Sequence, residues 1–148
     1  MQTADNVWPQ IEVLAPGITF ERTHDGQIFI FTLADITRAS VDAWVAKIRE
    51  LTGEWTNERP FLALTQVSGK YLTLTPYLRG RMEELSHWHP DLWAYTAVVL
   101  PQSFFMQLMA IFIPTLKLRK TQTRLFQTRQ EALAWLEKAL AESRGKRA

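Results

Sequence analysis

From Ile18 onward the chain switches repeatedly between period-two alternation and period-3.6 stripes. Ile18–Thr23 alternates apolar and polar, Asp25-Gly26 supplies a tight turn, and Ile28–Leu33 follows as an apolar run. This pattern predicts a β-hairpin whose first strand is edge-like and whose second is more central. A helix is expected next, with Ser40 as N-cap, Asp42 in its first turn and Gly53 closing it in the left-handed region. Val41, Trp44, Val45, Ile48 and Leu51 form its inward stripe, and Lys47, Arg49 and Glu50 are expected outward.

Phe61–Val67 has almost no polar position and reads as a strand covered on both faces. Thr75-Pro76 marks the start of a second helix, because a hydroxyl accepts an orphan N–H and Pro is harmless at the first helical position. Leu78, Met82, Leu85 and Trp88 continue its stripe across Gly80, and H-W-H-P ends it. Trp93–Leu100 predicts a strand with Trp93, Tyr95, Ala97 and Val99 on one face and Ala94, Thr96, Val98 and Leu100 on the other. Pro101–Ile113 reads as a short helix that is apolar nearly all round. Thr123–Gln127 predicts a last strand, and Thr128 with Glu131 forms a capping box before a helix that faces Leu133, Leu136 and Leu140 inward.

The expected order is β-β-α-β-α-β-α-β-α, an α/β domain with a mixed five-stranded sheet and four main helices. Residues 1–17, with Trp8-Pro9 and Pro16-Gly17, read as an extended arm or a short edge strand. The domain proper is expected over residues 18–141, and residues 142–148 as a basic tail.

Composition narrows the class. With 148 residues, 47% hydrophobic and 22% charged, the chain suits a globular domain. Six Trp and eight Phe imply a filled aromatic core or an aromatic contact surface. Without cysteine there is neither a disulfide framework nor a thiolate metal site, and the first ten residues lack the basic and apolar regions of a signal peptide. A cytoplasmic location is the expectation. Nine acids face five bases in residues 1–60, whereas nine bases face three acids in residues 117–148. That basic quarter has no nucleic-acid recognition motif, and no nucleic-acid partner is expected.

The hairpin, the strand-helix alternation and the closing L-F-Q-T-R-Q-E-A-L-A-W-L resemble the SpoIIAA-like proteins, relatives of the STAS domains that include anti-sigma-factor antagonists. The likeness covers roughly residues 18–141. It implies a regulatory, non-enzymatic role through a partner protein, and a phosphorylated Ser in a D-S-S-G-like motif at a strand-helix junction. The matching stretch here is Thr73–Pro76, where Thr73 replaces the Asp and Pro76 the Gly. Thr75 alone retains a hydroxyl where the phosphoacceptor would lie, in competition with plain N-capping.

Other chemistry is sparse. His87 and His89 straddle Trp88 and point apart on a helix, His24 lies in the hairpin turn, and no third ligand joins them, so neither a metal nor a cofactor is expected. Ser86, His87 and Asp91 lack a nucleophile elbow, and Ser68-Gly69-Lys70 lacks the rest of a phosphate-binding loop. Arg79 and Arg81 can meet an anion or pair with Glu83 and Glu84. Phe104, Phe105, Leu108, Met109, Ile111, Phe112 and Ile113 cannot all face one sheet. Four occupants fit: the chain's own core with Trp8, a second copy, an apolar ligand, or a membrane surface helped by Lys117, Arg119 and Lys120. The leading expectation is a regulatory or protein-interaction domain working through Thr75 and the Phe104 helix. The alternative is a binder of a small apolar or lipid-like ligand between that helix and the sheet, and an enzyme ranks third.

Overall fold

The computed structural model describes residues 10–69 and 72–147. Its single sheet has six strands in sequence order: β1 (Gln10–Ala15), β2 (Ile18–Thr23), β3 (Ile28–Leu33), β4 (Phe61–Val67), β5 (Ala94–Val99) and β6 (Thr121–Phe126). The first three are antiparallel, and β3 through β6 run parallel. Helices α1 (Arg38–Thr52), α2 (Pro76–Trp88) and α3 (Phe104–Phe112) make the crossovers, a 3-10 turn (Ile113–Leu116) follows α3, and α4 (Arg129–Arg147) ends the fold.

The sixth strand is a correction to the expected five. In the segment expected as an extended arm or a short edge strand, residues 10–15 form the edge strand and pair with β2, so β2 itself is not at the edge. Pro9 and Pro16 flank this strand instead of interrupting it, leaving its interior N–H groups free for the ladder. Two expectations for α1 are also corrected. Its N-cap is Thr37, whose hydroxyl accepts from the Ser40 N–H, and Gly53 has helical angles (φ −56°, ψ −38°). At the other end of the chain, helix continues through Ser143 to Arg147, and Ser143 is buried. Trp8 lies outside the described residues.

Strand order advances in one direction from β3 to β6. Right-handed crossovers therefore set α1, α2 and α3 on the same face, and α4 is left to cover the other. Under α4, Ile28, Ile30, Leu62, Leu64, Ala97 and Val99 pack against Ala132, Leu136, Ala139 and Leu140. Trp135 meets Tyr95 edge-on, with ring centroids 5.7 Å apart.

The opposite face is filled unevenly. Beneath α1, Phe20, Phe29, Phe31 and Phe61 stack with Trp55 into an aromatic block. Toward β6 the same face carries small side chains, with Ala63, Thr96 and Thr123 side by side in one row and Ala94 beside Thr121 in the next. Helices α1 and α4 lie close on the strands, whereas α2 and α3 stand off them. Small floor residues under raised helices leave space. Among the described residues, no helix is long and apolar enough to cross a membrane.

A candidate ligand cavity under the crossover helices

The space between α1, α2, α3 and the sheet is a cavity of about 190 Å³. Its floor is Ala63 and Thr65 of β4, Thr96 and Val98 of β5, and Thr121 and Thr123 of β6. Trp44 and Ile48 form the α1 wall, Leu78, Met82 and Leu85 the α2 wall, and Phe105 and Met109 the α3 wall, with Ile113, Leu116 and Leu118 closing the side beyond α3. The α3 stripe follows from its cap: Ser103 accepts the Met106 N–H at 3.4 Å and fixes the phase at which Phe105 and Met109 turn inward.

Most polar atoms on this surface already have partners. Thr96 and Thr123 share a hydroxyl–hydroxyl bond of 2.7 Å, and the Thr121 hydroxyl donates to the Leu92 carbonyl at 2.9 Å. Trp88 Nε1 donates to Thr52, whose hydroxyl donates in turn to the Ile48 carbonyl. His89 Nε2 lies 3.2 Å from the Trp55 carbonyl, which only accepts, so that nitrogen carries the proton. Trp44 Nε1 donates to Thr65 Oγ1 at 3.3 Å. Two donors are left over. The Thr65 O–H has no acceptor among the described residues, and a pair of hydroxyls that share one bond retains one O–H. The cavity is thus an apolar chamber with two hydroxyl donors on its floor.

The residues singled out in the sequence divide between this site and other places. Phe105 and Met109 are buried in its wall. Phe104 points away and is 71% exposed, Leu108 is half-buried, and Phe112 packs into the cluster formed by α1, α2 and α3. Thr75 lies outside the cavity, where its Oγ1 accepts from the Leu78 N–H at 3.1 Å as the N-cap of α2. Arg79 is exposed on the same helix.

Arg81 serves the α1–α2 seam. Its Nε is 3.4 Å from Asp42 Oδ1 and its Nη1 is 3.1 Å from Glu84. The Tyr77 hydroxyl donates to the same Asp42 carboxylate, which raises the phenol's pKa above its ordinary range. Asp42 therefore joins two helices instead of stabilising the first turn of one. Lys47, expected outward, is nearly covered: it reaches Glu12 of β1 at 3.3 Å and Glu50 at 2.7 Å.

The histidines are dispersed: His24 pairs with Glu137 at 2.7 Å, and His87 Nδ1 meets the Glu83 carbonyl at 2.9 Å. Sequence reading did not single out Trp44, Thr65, Trp88, His89 or Thr123 as lining residues. The available signal was the run of Ala and Thr at alternate positions of three neighbouring strands, which marks a floor too shallow to fill the gap beneath helices. Scans against protein-family models, curated proteins and solved structures return no match.

Proposed function

We propose that this domain binds one small, mostly apolar molecule bearing a single oxygen acceptor, held between the crossover helices and the sheet. The observation that carries the reading is the chamber itself: about 190 Å³ walled by aliphatic and aromatic side chains, with unused donors at Thr65 and the Thr96–Thr123 pair. Apolar cavities of roughly 150 Å³ take up a benzene ring, while drug-sized ligands need roughly 300–1,000 Å³. The volume suits a monocyclic ring or part of one alkyl chain, and a whole two-chain lipid is too large.

A regulatory role of the SpoIIAA-like kind is the second reading, favoured by the exposed Phe104 and Ile111 of α3. Thr75 in its capping role supports α2 and needs no phosphate.

Calorimetric titration with acetophenone, a single apolar ring bearing one carbonyl acceptor, tests the first reading. Saturable binding at one molecule per chain is expected, and Met109→Trp, which fills the chamber from α3, should weaken it at least tenfold. Native mass spectrometry of the purified protein should show a retained small molecule in the wild type. Absence of saturable binding, or unchanged affinity in a folded Met109→Trp variant, would refute the assignment.

A further inference from the structure

Helix α3 is apolar on two sides, and the cavity accounts for one. Phe104, Leu108 and Ile111 recur at i, i+4 and i+7 and form a second stripe, with Phe104 71% and Ile111 72% exposed. The surrounding charge is one-sided. From Leu92 to Gln130 the chain has no acidic side chain and five basic ones. Three of these, Lys117, Arg119 and Lys120, follow the 3-10 turn that ends α3 and are exposed. Lys117 takes the left-handed conformation (φ 53°) that ends the 3-10 turn. Among the described residues, the acid in ion-pair range of these bases is Asp91, 3.7 Å from Arg119, in a pair whose arginine side chain is 76% exposed and thus heavily screened.

The combination of apolar stripe and unneutralised bases selects the occupant. A second copy docked about a two-fold axis would set this patch against itself and bring like charges together. An anionic bilayer offers both an apolar boundary for the stripe and counter-charge for the bases.

We infer that α3 and the basic turn after it dock on an anionic phospholipid surface, with Phe104, Leu108 and Ile111 at the acyl boundary and Lys117, Arg119 and Lys120 among the headgroups. This concerns the outer face of α3 and stands whether or not the cavity holds a ligand. Each basic residue near such a surface contributes about fivefold to partitioning at moderate salt, so three give on the order of a hundredfold.

Co-sedimentation of the full chain with phosphatidylcholine vesicles, with and without phosphatidylserine, tests it. The expected result is binding at least tenfold stronger with phosphatidylserine, weakened by added salt. Phe104→Ser with Ile111→Ser, and separately Lys117→Glu with Lys120→Glu, should each abolish most of it and leave the thermal midpoint near wild type, since all four side chains are exposed. Met109→Trp should bind vesicles like wild type, which separates this surface from the cavity. No binding, binding indifferent to phosphatidylserine, or unchanged binding in both double variants would overturn the inference. So would a concentration-dependent dimer that Phe104→Ser with Ile111→Ser dissolves, because the stripe would then belong to a second copy.

Discussion

Asp35, between β3 and α1, gathers three donors on one carboxylate oxygen: the Thr37 N–H at 3.1 Å, the Thr37 hydroxyl at 2.8 Å and the Ser40 hydroxyl at 2.6 Å. These bonds hold its pKa below the ordinary aspartate value, with Ser40 the largest cause. A lowered folded pKa means that the contribution to stability is complete above the unfolded value of about 3.9 and fades as the pH falls through the lower folded value. Gly17 packs against this group so closely that a Cβ there would lie 2.5 Å from both Asp35 Oδ2 and Ser40 Oγ. Asp35→Asn should therefore flatten part of the acid limb of a stability–pH curve measured by urea melts. Gly17→Ala should act on the same network by pushing the carboxylate away, at about 1–2 kcal/mol near neutral pH. If both variants kept the wild-type acid limb, the network would not stabilise the fold. The network also explains why the N-cap was misplaced from sequence. Ser40 precedes the apolar stripe as a cap should, but Asp35 orients Thr37 two residues away and so starts the helix one turn earlier.

At the scale of elements, what was legible followed from periodicity, and what was missed depended on neighbours. The two faces of β5 were readable because alternation is fixed by the pleat: Ala97 and Val99 lie under α4, and Thr96 and Val98 face the cavity. Strand β1 was harder, because its Ile11 and Val13 are 67% and 70% exposed and what orders it is pairing with β2 together with contacts from Leu14, Ala15 and Glu12 that its own pattern does not announce. In the capping box, Thr128 does accept the Glu131 N–H at 3.2 Å, but the Glu131 carboxylate takes the Thr128 hydroxyl proton and not a backbone donor. For α2, the cap makes a direct prediction. Thr75→Ala should lower stability by about 1 kcal/mol, and Thr75→Ser should restore most of it. Equal melts for all three forms would show that Thr75 does not cap α2.

For the whole molecule, the six-stranded sheet with three helices on one face and one on the other divides the work. The α4 face is closed by complementary packing of Ala132, Leu136, Ala139 and Leu140. The crossover face is closed only in part, since the aromatic block ends near β4 and small residues continue to β6. Sequence reading placed a candidate ligand between the Phe104–Ile113 helix and the sheet. It could not size the space, because volume depends on how far α2 and α3 stand from the strands and not on any one residue's type. The same Met109→Trp variant used for ligand binding tests this division by thermal unfolding. Extra side-chain volume in a packed core costs roughly 1–3 kcal/mol, whereas in an empty chamber it should leave the midpoint unchanged or raised. A clear fall would mean that the space is not available to a guest.

The shared hydroxyl bond between Thr96 and Thr123 bridges β5 and the edge strand β6 from inside the chamber. Anything that recruits one of those oxygens tugs on the outermost ladder of the sheet. Amide exchange along Thr121–Phe126 would then act as a built-in gauge of occupancy, registering a guest at the border of the sheet.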